Sequence, residues 1–531
     1  MVFLILSVIT IFGAFLRFIN LSPYKIYPDT YQNFMVANNL ATYKSVVGFL
    51  GENGSVYPPF FFWTRPVFPL LINLGKIFSS NDILVAQIII FIAGVLVIPV
   101  TYFLIKHIFK SKSAGICGAF LIAISFNHIV WGGFIQTENI GVFFVTLFLL
   151  ILIKNIEKQT TVLKLRDILI GIFFGITILV RYEYALLSIP IVFLVFKTSA
   201  TPFTLLGNFA FGTAVFLIVV FSRLYPIYDS LFLILTQKPD ILIVCIAGLS
   251  ILGIIYKFFK KGLEKSFVYF FAIVLLLLKF YFIPGPRSFF LTDILISILA
   301  LIGILLLQKK VQLQKYATFT ILGIFLLSSV YLVTDYAMQR YWTHIIPFLL
   351  IPASFALERV LIYIRLKFSL KTLAFSLFLL LLIVIQIFQT YNGIRQWNGG
   401  RWFAVSYEEK SGLLLKEKIS NNDLIMISSL PEAYHFYTKL PTHSVADQSP
   451  FVFISNSLDL KQIIIVQDMG MRYLFPTFSE FLDLNLENKK VGEYFVNVPY
   501  HYSEISVQET HPIILYQLTL KELKDKIQQQ N

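Results

Sequence analysis

The chain has 531 residues, of which 57% are hydrophobic and 14% are charged, against roughly 25% charged residues in soluble globular proteins. A water-soluble fold does not need so much apolar surface, and the mean hydropathy of +0.77 predicts a polytopic membrane protein. The formal net charge is +14, but Lys and Arg occur in short clusters between apolar runs. This pattern is typical of membrane loops and argues against a nucleic-acid-binding protein.

The first apolar run is expected to be a retained membrane helix. It begins without a basic segment and ends without a small-residue cleavage site, unlike a secretory signal peptide. The two cysteines, Cys117 and Cys245, lie within later apolar runs, which argues against a disulfide.

Thirteen apolar runs approach the ~20 residues that a membrane-spanning helix needs. They are expected near residues 2–19, 83–105, 114–129, 137–153, 167–181, 184–197, 203–223, 240–256, 266–284, 289–307, 316–334, 344–358 and 372–391. With the N-terminus inside, every gap assigned to the cytoplasm contains Lys or Arg, whereas the outer gaps contain scattered single basic residues. Among these cytoplasmic residues are Lys106, Lys110, Lys112, Lys309, Lys310, Lys315, Arg359 and Arg365. The positive-inside rule therefore predicts this orientation and places the C-terminal part outside the cytoplasm.

Two regions outside the apolar runs are long enough to fold. The first external loop, about residues 20–82, is too long for a simple connection and is expected to contain helices on the membrane surface. Residues 398–531 have regular acidic residues and shorter apolar runs. Strands are predicted at 423–429, 462–468, 493–498 and 513–518, and an amphipathic helix at 407–420. The chain is thus expected to have a transmembrane domain, 1–397, and a soluble extracytoplasmic α/β domain, 398–531.

Ionisable side chains approach the predicted outer face from separate segments. Asp29 lies in the first external loop, and Glu138 begins the fourth span at its outer end. Arg181, Arg287 and Arg340 lie at the outer ends of later spans. Ionisable groups at membrane depth are costly and usually face a cavity or one another, so a polar site is predicted at this face.

Four of these residues also have a simpler structural explanation, which the sequence leaves open. Asp29 is suited to cap a helix that begins at the next residue, and Glu138 suits the positive end of a helix dipole. Arg181 could form a local ion pair with Glu183. Arg287 could extend along apolar surface to the interface.

The ordered set of motifs resembles the GT-C membrane glycosyltransferases, the broad group around the protein O-mannosyltransferases and the lipid A aminoarabinose transferase. The resemblance covers about residues 1–400 and is carried by YPDTYQNFMVANNL, YPPFFFWTRPVFPLL, GIFFGITILVRYEYALLSIP and RYWTHIIPFLLIPASFAL. The chain departs from the group at Thr30, where several members have a second acid. It also lacks a WWDYG-like element, which argues against an oligosaccharyltransferase catalytic subunit.

The resemblance implies a fold of about 13 transmembrane helices and the transfer of a sugar from a polyprenyl-phosphate donor. The acceptor would be a lipid, a surface glycan or a protein hydroxyl at the extracytoplasmic face. Asp29 is the candidate base, with Glu138 as a second acid, metal ligand or acceptor-binding group. The leaving lipid phosphate needs fixed cations. The candidates for this role are Arg181, Arg287, Arg340 with Tyr341, and more weakly Arg65.

No cofactor follows with certainty from the sequence. A divalent cation stays possible in principle, but such an ion prefers several oxygen ligands and the second acid is absent at Thr30. No Walker loop and no GxGxxG after a strand occurs, so no nucleotide site is expected.

Two other functions compete with the transferase. A secondary transporter or lipid flippase would show inverted repeats and charges near the middle of the membrane, and neither is visible in the sequence. A catalytically silent scaffold with the same fold would bind a partner through its outer domain. Replacing Asp29 by Asn distinguishes these functions, since only the transferase depends on that carboxylate.

Overall fold

The structure is a computed structural model. It describes residues 1–21, 28–43, 48–49, 56–57, 65–156, 165–199, 201–224, 291–330, 339–366, 370–399, 403–419, 424–440, 442–444, 462–502 and 505–528. The chain forms two compact units, which we call the helical unit (Met1–Leu21 with Gln87–Gln396) and the α/β unit (Ser22–Ala86 with Trp397–Asn531). The residues of the first predicted external loop thus belong to the same unit as the C-terminal residues.

The described residues contain helices, strands and short 3₁₀ helices. The helices are α1 (Val2–Ile19), α2 (Pro28–Tyr43), α3 (Val67–Gly75), α4 (Asp82–Phe109), α5 (Lys112–Ile124), α6 (Phe126–Val130), α7 (Glu138–Ile156), α8 (Leu165–Val180), α9 (Ser188–Thr198), α10 (Pro202–Leu224), α11 (Ile294–Gln308), α12 (Gln314–Val330), α13 (Ile346–Leu366), α14 (Leu370–Gly399), α15 (Phe403–Lys418), α16 (Pro431–Thr438), α17 (Met469–Leu474), α18 (Pro476–Asn485) and α19 (Leu520–Gln528). The strands are β1 (Gly48–Phe49), β2 (Val56–Tyr57), β3 (Ile425–Ser428), β4 (Thr442–Ser444), β5 (Gln462–Gln467), β6 (Lys490–Tyr502) and β7 (Ile505–Thr519). The 3₁₀ helices are Trp131–Gly133, Tyr182–Leu187, Val311–Leu313, Gln339–Ile345 and Glu487–Lys489.

Several helices are long and apolar enough to cross a membrane. In the part of the chain that the structure describes there are six, or seven if the bent pair α5 and α6 forms one span. The six are Val2–Ile19, Asp82–Phe109, Glu138–Ile156, Pro202–Val220, Trp342–Leu366 and Thr372–Arg395. The predicted runs at 240–256 and 266–284 lie outside the described residues. The protein is therefore a mostly helical membrane protein with a small C-terminal sheet.

Helices α8 and α10 pack closely through two glycines. A Cβ at Gly171 would collide with the carbonyl oxygen of Phe209, and one at Gly212 would collide with the carbonyl oxygen of Ile168. The Thr213 hydroxyl donates a hydrogen bond to the Gly171 carbonyl at 2.9 Å. Small residues allow this approach between membrane helices, where packing and hydrogen bonds replace the hydrophobic driving force.

A predicted continuous run at 114–129 is instead two helices that meet at Ser125 at an angle of 54°. The carboxylate of Asp293, which precedes α11, accepts hydrogen bonds from the backbone N–H groups of Phe126 (2.8 Å) and Asn127 (3.1 Å). It also accepts from the Ser125 hydroxyl at 2.9 Å and the Gln386 amide at 2.9 Å. The free backbone donors at the start of α6 thus have buried acceptors, which a broken helix in a membrane requires.

The α/β unit contains a five-stranded mixed sheet with strand order β4-β3-β5-β7-β6. Strands β4, β3 and β5 are parallel, and β7 joins β5 and β6 in antiparallel pairs. The core of this unit is built on β-branched and aromatic residues of the central strands, packed on residues of α18 and α19. Members of the core include Ile425, Ile427, Ile463, Ile465, Tyr516, Leu482 and Leu523.

Helix α2 of the first loop packs on α16 of the α/β unit. The rings of Tyr31 and Phe34 lie 5.5 and 5.3 Å from the ring of Phe436. The hydroxyls of Tyr31 and Tyr437 are 3.0 Å apart. Tyr31, Phe34 and Met35 of α2 are buried, and the face that carries Tyr31 and Phe34 contacts α16.

Candidate active site

The helical unit carries an ion cluster around the fully buried Arg181, which we call the Arg181 cluster. Arg181 follows the last turn of α8 in an extended conformation, with φ −154°, and is 0% exposed. Its guanidinium donates to the Thr137 hydroxyl at 3.2 Å and lies 3.4 Å from Glu138 Oε1. A second nitrogen lies 3.1 Å from Glu183 Oε1. A guanidinium that is buried away from water is stable only when it has such partners. Arg181 and its three partners therefore fix this geometry together.

Glu138 occupies the first position of α7 and is also buried. One carboxylate oxygen faces Arg181, and the other, Oε2, has no hydrogen-bond partner among the described residues. A buried carboxylate oxygen without a donor is energetically costly. The oxygen is therefore suited to receive a proton or to contact a bound molecule.

A hydrogen bond joins the Arg181 segment to the segment that carries Arg340. The Tyr184 hydroxyl lies 2.7 Å from Nδ1 of His344, and both side chains are buried. Tyr184 belongs to the 3₁₀ helix directly after Arg181, and Arg340 belongs to the same 3₁₀ helix as His344. Arg340 is itself only 5% exposed. The structure thus brings Glu138, Arg181 and the Arg340 segment together at one end of the helical unit.

For the other predicted site residues that it describes, the structure gives the position in the fold. Asp29 is the second residue of α2, so it lies in the first turn of that helix and not at its cap position. Arg65 is half-buried, two residues before α3, and both residues belong to the α/β unit. Tyr341 lies in the 3₁₀ helix of Arg340. Arg287 lies outside the described residues.

A second buried cationic group lies at the end of α1, and the sequence pattern does not predict it. Arg17, in the last turn of α1, lies 2.8 Å from Nδ1 of His128 and donates to the Ile122 carbonyl at 3.0 Å. The neighbouring Asn20 amide donates to the Ile129 carbonyl at 2.5 Å. These contacts join the end of α1 to the α5–α6 break. The only signal in the sequence was an arginine within an apolar run, which is itself a mark of function or of a specific contact.

A polar cluster in the α/β unit lies at the carboxyl ends of β3 and β5. Asp468 accepts hydrogen bonds from the Ser429 hydroxyl at 2.6 Å, the Tyr434 hydroxyl at 2.7 Å and the Met471 N–H at 2.7 Å. Burial raises the pKa of Asp468 above its ordinary value, against these hydrogen bonds. The side chain caps α17 and accepts three hydrogen bonds, which gives it a structural role.

The two carboxylates near Arg181 are engaged with its guanidinium in the part of the chain that the structure describes. Hard divalent cations take several oxygen ligands, and Glu138 and Glu183 each give one oxygen to the guanidinium. Across the described ranges, no group of three or more His, Cys, Asp or Glu side chains is arranged to hold a metal.

Comparison with known proteins identifies the fold. A family model described as dolichyl-phosphate-mannose-protein mannosyltransferase matches residues 58–225. The Archaeoglobus fulgidus oligosaccharyltransferase in its apo form is 16% identical, with a TM-score of 0.57 over 98% of this chain and 77% of that chain. The oligosaccharyltransferase AglB of the same organism, solved with an inhibitory peptide and a dolichol-phosphate, is 15% identical, with a TM-score of 0.52 over 96% and 74%.

A bacterial structure matches over nearly its whole length. ArnT from Cupriavidus metallidurans, bound to undecaprenyl phosphate, is 12% identical, with a TM-score of 0.54 over 97% of both chains. No protein with a curated description matches the sequence. At these identities the likeness concerns the fold, and the chain has the fold of the GT-C glycosyltransferases.

Proposed function

We propose that the protein is a membrane glycosyltransferase. It moves a sugar from a polyprenyl-phosphate donor to a hydroxyl of a lipid, a surface glycan or a protein at the extracytoplasmic face. The family model and the GT-C fold support this class of reaction, and the ArnT structure was solved with a polyprenyl phosphate of the type proposed here. About thirteen transmembrane helices, with the α/β unit outside the cytoplasm, complete the proposal.

The observation that carries the proposal is the Arg181 cluster within this fold. It places Glu138, one of whose carboxylate oxygens has no hydrogen bond to any residue that the structure describes, beside a buried arginine at an end of the helices. Purely structural ion pairs gain little from burial, because desolvation offsets much of the attraction. A buried charged cluster is instead typical of a site that handles charged substrates.

The reaction needs two complementary groups. The acceptor oxygen attacks the anomeric carbon while its proton passes to a carboxylate, which we assign to Asp29. The bond between the anomeric carbon and the phosphate oxygen breaks, its electron pair stays on the phosphate, and the anomeric configuration inverts. We assign Glu138 to binding the acceptor as a second acid.

Fixed cations stabilise the charge that develops on the leaving phosphate. Arg181 is already held by two carboxylates, so we assign it to positioning Glu138 and to the electrostatic field at the phosphate. Arg340 and Tyr341 are the first candidates for direct contact with the phosphate. Arg287 and Arg65 are further candidates for it.

Replacement of Asp29 tests the proposal. The protein would be reconstituted in liposomes and given mannose, other hexoses or pentoses, each linked to polyprenyl phosphate, as donors. Membranes from source cells that lack this chain would supply the acceptor. Free polyprenyl phosphate would be measured by mass spectrometry. Asp29→Asn should lower its release about 10²- to 10⁴-fold, because the base is lost. Asp525→Asn, at an exposed position on α19, is the matched control and should be silent.

The outcomes separate the assignments. Release by Asp29→Asn at the wild-type rate removes Asp29 as the base. No release by the wild-type protein from any of these donors overturns the proposed transferase.

A further inference from the structure

A cation-lined pocket lies at the end of the helical unit where α4 and α13 finish. Its volume is about 610 Å³, and it lies between the turn after α4, the α11–α12 connection and the last turns of α13. The four basic residues of its wall, Lys110, Lys310, Lys315 and Arg359, lie in gaps that the sequence assigns to the cytoplasm, and Phe355 and Glu358 lie at the end of the predicted span 344–358. The backbone of Lys110 adopts a left-handed conformation, φ 53°, which turns the chain sharply between α4 and α5.

The charge of this pocket is strongly positive. Four cationic side chains line it, and Glu358 is the one acidic side chain in its wall. The four cations are Lys110, Lys310, Lys315 and Arg359. The Glu358 carboxylate is buried and accepts hydrogen bonds from the hydroxyls of Ser111 and Ser113. It is therefore engaged in holding the start of α5.

Two of these cations are held in place by an aromatic ring. The Lys310 ammonium lies 5.6 Å and the Arg359 guanidinium 4.9 Å from the ring centre of Phe355, which is buried. Neither cation forms an ion pair with any residue that the structure describes. Cation–π contacts orient a cation without neutralising its charge, so both remain available to an anion.

The surroundings of the pocket match a lipid headgroup better than a soluble anion. Phe109 and Leu313 contribute apolar wall, and Val311 beside Lys310 is 83% exposed. On α13, beyond Arg359, Leu361 and Leu366 are also exposed. Exposed apolar side chains next to Lys and Arg at helix ends are typical of a membrane interface.

The pocket is distinct from the candidate active site. Helix α13 begins at Ile346, directly after the 3₁₀ helix of Arg340 and His344, and reaches the pocket at Glu358 and Arg359. At 1.5 Å per residue this separation is roughly 20 Å along the helix. A ligand here cannot be the leaving group of the proposed transfer.

We propose that this pocket binds the phosphate of an anionic membrane lipid headgroup at the cytoplasmic face. Lys310 and Arg359 contact the phosphate, Lys110 and Lys315 contribute to the positive field, and acyl chains pass along the exposed apolar residues. Basic pockets between helices at this face attract such lipids from the negatively charged leaflet. The proposal does not depend on the proposed enzymatic activity.

Charge-removing substitutions with close controls test this site. The purified protein in detergent would be titrated with phosphatidylglycerol, phosphatidylcholine or inorganic phosphate, and bound lipid counted by native mass spectrometry. Lys310→Gln with Arg359→Gln should weaken phosphatidylglycerol binding about 25-fold, roughly fivefold for each charge. Lys309→Gln with Arg365→Gln removes the same charge from exposed neighbours outside the pocket and should leave binding unchanged.

Each outcome decides the proposal. Equal loss in both pairs, or equal binding of phosphatidylglycerol and phosphatidylcholine, overturns the site. Saturation of the pocket by inorganic phosphate alone overturns the lipid as the source of the phosphate. Retained binding in Lys310→Arg with Arg359→Lys supports the site, since charge and position are kept. An unchanged melting temperature without lipid shows that the variants are folded.

Discussion

Arg181 is the residue on which the candidate site depends most. Its removal would leave Glu138 and Glu183 as two carboxylates without their shared cation. Breaking a buried ion pair on one side costs roughly 3–5 kcal/mol. We therefore expect Arg181→Gln to lower the midpoint of thermal unfolding in detergent strongly.

A solvent-facing pair provides the control for Arg181. Lys490 and Glu493 are joined at 2.7 Å at the start of β6, and surface pairs contribute about 0–1 kcal/mol. Lys490→Gln should hardly change the midpoint. Equal shifts in the two variants would contradict the structural role of the Arg181 cluster.

The sequence anticipated part of this cluster and missed other residues. The sequence allows two interpretations of Arg181, as a phosphate-binding group or as a local ion pair with Glu183, and the structure contains the ion pair. The contact with Glu138 was expected only as proximity on one face, because it joins residues 43 positions apart. Asp293 was missed, since it lies 168 positions from the Ser125 hydroxyl that it binds. No local pattern marks an interaction over that separation.

At the level of elements, the break between α5 and α6 depends on Asp293. Asn at this position keeps the size but turns an amide N–H₂ toward the donors of Phe126, Asn127 or Gln386. Leaving buried donors unsatisfied costs about 1–3 kcal/mol or more. Asp293→Asn should therefore lower the melting temperature in detergent.

Ser297→Ala is the control for the α5–α6 break. It removes a bond from the Ser297 hydroxyl to the carbonyl of Asp293, the cap residue of the same helix, at 2.9 Å. Such back-bonds contribute little to helix stability. A similar loss in both variants would show that the carboxylate is not what holds the break.

Helix α19 begins with a reciprocal capping box. The Thr519 hydroxyl accepts from the Glu522 N–H at 3.2 Å, and the Glu522 carboxylate accepts from the Thr519 N–H at 2.7 Å. The ion pair with Lys489, at 2.6 Å, and these hydrogen bonds lower the pKa of Glu522 to about 2. A carboxylate whose pKa is lowered on folding stabilises the folded state at pH values above its unfolded-state pKa, which is near 4.5. This contribution is lost as the pH falls toward 2.

Hydrogen–deuterium exchange checks this pH dependence. In Glu522→Gln, the protection of Leu520–Gln528 should fall at neutral pH, and the difference from wild type should shrink as the pH is lowered below about 4.5. Glu480→Gln, exposed on α18, should show no such effect. A difference that persists at the lowest pH would contradict the role of the charge.

Helices and strands that local sequence patterns predict agree well with those in the structure. The first run was predicted at 2–19 and α1 spans Val2–Ile19. The four predicted strands overlap β3, β5, β6 and β7. Hydropathy and alternation are local signals, so they predict such elements. The break at Ser125 depends on a distant acceptor, so the run at 114–129 looked continuous.

At the level of the whole molecule, the orientation in the membrane can be measured directly. In a Cys117→Ala, Cys245→Ala background, Asp525→Cys should react with a membrane-impermeant maleimide on intact cells or spheroplasts. Lys309→Cys should react only after the membrane is permeabilised, because its gap is predicted to be cytoplasmic. Labelling of Lys309→Cys from outside, or protection of Asp525→Cys, would contradict the predicted topology.

The contact between α2 and α16 has a consequence for engineering. It joins the hydroxyls of Tyr31 and Tyr437, 406 positions apart, within a single compact unit. The segment bearing Asp29 is thus assembled with the C-terminal sheet and is not an independent appendage. Recombinants that exchange the C-terminal region between homologous enzymes should keep this packing only when residues 22–86 are transplanted with 397–531. A graft of either piece alone would leave Phe34 and Phe436 facing an unmatched surface.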